Sequence, residues 1–89
     1  MNLYNELSYV KRGKNRITVL KSLEGALMPS ELVIKIYGKS SNTHFNIVSR
    51  ALSELLEEKL VKVVNPKSIT GRLYILTDKG KKVLVLLNK

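Results

Sequence analysis

Between residues 41 and 60, Phe45, Val48, Leu52, Leu55 and Leu56 fall three or four positions apart. That spacing lays apolar side chains along one face of an α-helix, and it predicts a long amphipathic helix here. Ala51 on the same face lets a neighbouring helix approach closely, whereas Asn46, Ser49, Arg50 and Ser53 are left on the outside. Upstream, Leu3, Leu7 and Val10 predict a first helix over 3–10, interrupted by KRGK around Gly13. Ile17 and Leu20, with Val19 and Leu23, predict a second over 15–23 that ends before Gly25. A short third helix is expected over 30–37, with Leu32, Val33, Ile36 and Tyr37 as its buried stripe. Ser30 is placed to cap its free amides, Glu31 suits the positive end of its dipole, and Gly38 supplies the stop. Ser41 or Asn42 then caps the long helix.

After Leu60 the pattern changes. VKVVN and RLYILT are rich in β-branched and aromatic residues and read as two extended segments, joined through a basic tip from Pro66 to Gly71. Thr77 and Asp78 can cap a final helix over 79–88. Its Val83, Leu84, Leu86 and Leu87 offer more apolar surface than one small core needs, which a contact with a second copy and packing back onto the first helix explain equally well. At 89 residues the chain is expected to form a single domain, 1–89. No run approaches the ~18 apolar residues of a membrane span, and the first residues lack the apolar region of a signal peptide, so a cytoplasmic protein is expected.

Charge narrows the choice of partner. Sixteen Lys and Arg against seven Asp and Glu leave a net +9, a surface suited to polyanions. Its distribution is uneven: residues 32–53 hold no acid, while Glu54, Glu57 and Glu58 crowd the far half of the long helix. A second acid-free stretch between Glu6 and Glu24 carries Lys11, Arg12, Lys14, Arg16 and Lys21. Nucleic acid fits better than a membrane surface, which would need an exposed helix with apolar and basic faces. With no cysteine and only His44, neither a thiolate nucleophile nor a Cys/His metal cluster can be built. Paired carboxylates, a nucleophile beside a base and a glycine loop for phosphates are likewise missing from the sequence, so neither an enzyme nor a cofactor is expected.

Helix, short helix, tight turn, long helix, hairpin and closing helix is the plan of a winged helix-turn-helix domain: mainly α with a small β-hairpin. Three segments carry a further likeness: PSELVIKIYGKSSN for the turn motif, IVSRALSELLEEKLV for the recognition helix, and GRLYILTDKG for the second wing strand and last helix. On these, residues 16–80 resemble the small archaeal and bacterial winged-helix transcriptional regulators, similar to the MarR and ArsR groups. The resemblance implies a regulator that binds double-stranded DNA as a homodimer, with a recognition helix over about 41–59 and a wing over about 61–77. Two departures stand out: Lys59 occupies the place where such families end the recognition helix with glycine, and the tip from Lys67 to Gly71 is short.

A helix in the major groove presents its amino-terminal residues to base edges. Thr43, Asn46 and Arg50 form that outward front, with Ile47 and Ser49 flanking it. Asn46 could pair with adenine, and Arg50 could pair with guanine or bind a phosphate; a well-placed pair discriminates by roughly 1–3 kcal/mol. Lys39 and Ser41 lie where the helix starts, Ser41 also serving as cap; Lys67, Ser68 and Arg72 would meet the flanking minor groove or its phosphates, and Lys14 and Arg16 the backbone. His44 is read as a packing or capping residue, and the four tyrosines as core edges. Two rival readings use the same charge: a sequence-neutral architectural protein, and a protein-interaction module of a transcription or replication assembly.

Overall fold

The computed structural model describes residues 3–68 and 70–88, so residue 69 of the expected wing tip lies outside the described residues. The elements run α1 Tyr4–Lys11, α2 Lys14–Ser22, α3 Pro29–Tyr37, α4 Asn42–Glu57, β1 Val61–Val63, β2 Tyr74–Leu76 and α5 Asp78–Leu87. This is the expected class, mainly helical with a small antiparallel hairpin. Helix α4 is the hub: α2 and α3 both pack on it, while α1 lies against α2 and α5. Its Val48, Ala51, Leu52 and Leu55 meet Val19, Leu20 and Leu23 of the α2 segment and Leu32 and Val33 of α3 in one core, closed by Leu60, Val61 and Val83. Burying each such Leu or Val contributes roughly 1.5–3 kcal/mol.

Two members of the expected stripe fall outside that core. Phe45 is 43% and Leu56 38% exposed. Phe45 borders a hollow between α4, the start of α3 and the wing root, and periodicity alone does not say how wide the covered face is. The start of α3 also differs from expectation. Pro29 is already in the helix, where its missing N–H costs nothing, so the cap moves ahead of Ser30. Ser30 is exposed, and the Glu31 carboxylate instead accepts a hydrogen bond from the Met28 backbone N–H at 2.8 Å. At the other end, Gly38 stops α3 in the left-handed region at φ 77°.

Ser41 caps α4 as expected, its hydroxyl accepting from the His44 N–H at 3.1 Å. The helix closes with two reversed bonds: Lys59 N–H donates to Leu56 O at 3.0 Å and Leu60 N–H to Leu55 O at 3.0 Å. This double bond pattern needs a left-handed residue between the two donors' arms, and Lys59 supplies it at φ 61°. The side chain there crowds its own backbone, a conformation for which glycine is the unstrained choice.

The hairpin pairs Val61 with Leu76, Lys62 with Ile75 and Val63 with Tyr74. Leu27 extends it by a bridge that the sequence does not announce, because a single paired residue leaves no periodicity. Its N–H donates to Tyr74 O at 3.1 Å and its carbonyl accepts from Tyr74 N–H at 2.9 Å. Thr77 joins hairpin and α4. Its N–H donates to Leu60 O at 3.0 Å, and its hydroxyl donates to Lys59 O at 2.7 Å while accepting from Gly80 N–H at 3.0 Å. Gly80 must be glycine, since a Cβ would stand 2.0 Å from the Leu60 carbonyl oxygen.

Helix α5 packs back on α1. Lys79 Nζ lies 2.7 Å from Glu6 Oε2, and this bond holds the Glu6 carboxyl below the usual carboxylate range. Leu86 and Leu87 pack against the core, which accounts for much of the apolar surface that seemed in excess, while Val85 remains 58% exposed. No described helix is long and apolar enough to cross a membrane.

Two substitutions at the α4–α5 junction should act in opposite directions. Lys59→Gly relieves the left-handed strain and should stabilise the fold by about 1 kcal/mol, a rise of about 4–8 °C in melting temperature for a domain of this size. Gly80→Ala forces the Leu60 carbonyl to move and should destabilise by about 1–3 kcal/mol. Thermal denaturation followed by circular dichroism reads both, and an unchanged melting temperature for either would contradict this account of the junction.

Candidate nucleic-acid interface

The exposed front of α4 is polar and free of acids through its first three turns. Thr43, Asn46 and Arg50 are all exposed on it, together with Asn42 and Ser53. Their common direction follows from the core: Val48, Ala51 and Leu55 point inward, so residues half a turn away point out. No acidic side chain stands in the first turn, leaving the positive end of the helix dipole uncompensated by the chain itself. Lys39 is exposed just ahead of this end, and the Ser41 hydroxyl is occupied as the cap. His44 faces the opposite way, with its ring stacked on Tyr37 at 3.9 Å between centroids. That agrees with a packing residue.

On one flank, Ile47, Arg50, Ala51 and Glu54 of α4 face Arg12, Gly13, Lys14, Asn15 and Arg16 across a cleft of about 270 Å³. Lys14 is exposed at the first position of α2. Arg16 behaves differently from the expectation that it contacts phosphate. Its Nε and Nη2 donate to the two Glu54 carboxylate oxygens, each at 3.3 Å, its Nη1 donates to the Tyr9 carbonyl at 2.8 Å, and its guanidinium lies 3.8 Å from the centre of the Tyr9 ring. Donation to the Glu54 carboxylate raises the guanidinium pKa above its ordinary value. Arg16 is therefore a tie between α1, α2 and α4, its donors turned inward. Gly13 makes room for it, as a Cβ there would stand 2.8 Å from Arg16 Cδ. Arg12, not among the expected contacts, also lines the cleft.

On the other flank, Phe45 and Ser49 face the start of α3 and the wing root across a hollow of about 460 Å³, whose further lining includes Met28, Pro29, Ser30, Arg72 and Tyr74. Ser49 is half-buried here, so its hydroxyl lies to the side of the front rather than on it. The wing is organised by Asn65, a residue the sequence did not single out. Its side-chain amide donates to Gly71 O at 3.1 Å and its carbonyl oxygen accepts from Leu73 N–H at 2.7 Å, bridging the loop from both sides. Ser68 is half-buried and its hydroxyl donates to Thr70 O. Arg72 is exposed and its Nε donates to Ser68 O at 3.2 Å, while Lys67 is exposed at the tip. The signal for Asn65 was present in principle, since an Asn just before Pro is a common turn former.

The structure thus gathers Lys14, Ile47 and Arg50 about one cleft, Ser49 and Arg72 about another hollow, and Thr43 and Asn46 on the front between them. Among the described residues no group of three His, Cys, Asp or Glu side chains could hold a metal ion.

The sequence matches no family model and no curated protein sequence. Two solved structures share the fold. One is a MarR family transcription regulator, with a TM-score of 0.71 and 20% identity over 97% of this chain; the chain spans 60% of that protein's length. The other is a PadR family transcription regulator from hypervirulent Clostridium difficile, with a TM-score of 0.66 and 25% identity over 85% of this chain and 84% of its own. Both structural neighbours are described as transcription regulators. The winged helix-turn-helix architecture is thereby established for this chain, with PadR added to the MarR group that the sequence motifs resemble.

Replacing Arg16 tests its inward role. Arg16→Met keeps much of the stem but strips Glu54 and the Tyr9 carbonyl of their partner, and should destabilise the fold by about 1–2 kcal/mol. Arg50→Ala, at a side chain 85% exposed, should stay within about 0.5 kcal/mol of the parent. Chemical denaturation of the two variants side by side checks the contrast; equal effects would return Arg16 to the surface set.

Proposed function

We propose that this chain is a transcription regulator that binds duplex DNA selectively, acting in the cytoplasm as a homodimer and without catalysis. Helix α4 enters the major groove and the hairpin lies on the adjacent minor groove or its phosphates. The observation that carries this reading is the front of α4: exposed Thr43, Asn46 and Arg50 on a helix whose first turn holds no acid, in a chain of net charge +9. An α-helix fits the width of the major groove, and these three residue types are ones that hydrogen-bond base edges. The similarity to MarR and PadR regulators supports the same reading through the fold they share.

Roles divide by position. Asn46 and Arg50 read bases, with Thr43 and Ile47 beside them; Lys14, Lys39 and Ser41 hold the backbone at the near side, and Ser49, Lys67, Ser68 and Arg72 at the wing side. Arg16 serves this surface from behind, through Glu54. A two-fold dimer would set two α4 helices about one helical turn of DNA apart, and the exposed Val85 on α5 is where apolar surface remains for such a contact. Repression by occlusion of the polymerase is the simplest consequence of binding.

Selection of bound duplexes from a random pool at about 0.15 M salt tests the proposal, since that salt suppresses purely electrostatic retention. An enriched motif with two-fold symmetry is expected. Retention without enrichment would leave a sequence-neutral binder, and no retention would leave an interaction module. On the enriched site, Arg50→Ala should weaken binding and relax one position, whereas Lys14→Ala should weaken all sequences alike and lower the salt slope by about one.

A further inference from the structure

We infer that Glu54 is the positioning residue for Arg50, a carboxylate fixed from behind by Arg16 that holds the recognition arginine by its Nε edge and turns phosphate away from it. The inference rests on the DNA-binding reading above and deepens it. It decides between the two roles open to Arg50, in favour of reading a base.

The geometry begins at Tyr9. Its ring and carbonyl fix the Arg16 guanidinium, which in turn engages both oxygens of Glu54 at 3.3 Å. A carboxylate gripped at both oxygens has little freedom left, and the Arg16 side chain is only 18% exposed. Glu54 Oε2 lies 3.9 Å from Arg50 Nε, one helical turn toward the amino end. An exposed pair of this spacing is ordinarily worth little, because two long side chains must be ordered to form it. Here one of them is already ordered, so only Arg50 loses freedom.

Which edge of Arg50 is engaged also matters. An arginine engaged at Nε, the atom of Arg50 that lies 3.9 Å from Glu54, can still offer its two Nη groups together. That end-on pair is the edge that can donate together to guanine O6 and N7. Charge acts in the same sense. Glu54 is the first acid after Glu31, and among the described residues it is the one acid in a cleft whose lining includes the cations Arg12, Lys14, Arg16 and Arg50. A phosphate oxygen approaching the Nε side of Arg50 would come against the Glu54 carboxylate, which already lies 3.9 Å from Nε, and like charges repel. A base edge carries no such charge. The same carboxylate that attracts Arg50 therefore lowers its affinity for the backbone.

Glu54→Gln tests this, since it keeps the size of the side chain and removes its charge. Binding would be measured at about 0.15 M salt to the enriched duplex, to the same duplex changed at the base pair read by Arg50, and to an unrelated duplex. The unrelated duplex should bind two- to fivefold more tightly, while discrimination between the first two falls at least threefold. Arg50→Ala should then remove little further discrimination in the Glu54→Gln background. Weaker binding to all three duplexes with the ratio preserved would show that Glu54 only supports the fold, and would overturn the inference. A parent chain that does not discriminate at all would remove the DNA-reading proposal and this one together. A DNA-free measurement separates the two: ¹⁵N relaxation of the Arg50 Nε–H should report an ordered group in the parent and a mobile one, with an order parameter below about 0.6, in the variant. A mobile Arg50 Nε–H in the parent overturns the positioning role whether or not the variant folds.

Discussion

Two neighbouring carbonyls at the end of α4, those of Lys59 and Leu60, are both held by Thr77, and the placement of the wing depends on this junction. Helix α4 has to stop, reverse and enter β1 within three residues, and the reversal leaves its last carbonyls turned outward in need of donors. Thr77 satisfies them from the far end of the hairpin, so β2 is tied to the helix terminus as well as to β1. The same hydroxyl caps α5, and Gly80 lets that helix start in contact with the Leu60 backbone. Helix α4, hairpin and closing helix thus meet at one point, and the angle between α4 and the wing is held by hydrogen bonds of the Thr77 N–H and hydroxyl.

From that fixed angle the two flanks of α4 acquire different characters. Toward α2, Arg16 links Tyr9, Glu54 and, through Glu54, Arg50 into one connected set of side chains. Toward the wing, beside the hollow at Phe45, backbone bonds between Leu27 and Tyr74 tie the hairpin to the chain entering α3, and the loop beyond is held by local bonds of Asn65, Ser68 and Arg72. One flank of α4 is thus braced by side-chain contacts and the other by backbone pairing of the wing.

Much of this was legible in the chain. Helices α2 to α5, the hairpin and the cap at Ser41 follow from spacing and local chemistry, because those signals are carried by residues close in sequence. Lys59 was visible as the residue standing where a glycine is usual, and the positive φ there gives that departure its physical content. What could not be read depended on contacts between distant residues. Arg16 looks like any cation in a basic run until Glu54, 38 residues away, is brought beside it. Phe45 and Leu56 carry the right spacing for the core, yet burial depends on how closely a neighbouring element covers that flank, and both stay more than a third exposed. The Leu27 bridge to Tyr74 has the same origin: the pairing is long-range and only one residue wide.

Charge economy connects these points to selectivity. A chain with a large cationic excess binds any duplex through its phosphates, and this background grows with each free cation on the contact surface. Selectivity can be raised by adding base contacts or by withdrawing cations from the backbone. In this chain one cation is withdrawn from the surface: Arg16, within the densest basic run of the sequence, has its guanidinium turned into the protein, where it ties α1 and α2 to α4. The charge remains in the composition but leaves the surface that phosphates would touch. Net charge alone therefore overstates the cationic surface of this domain, since Arg16 is engaged inside the fold while Lys14, Lys39, Lys67 and Arg72 remain exposed.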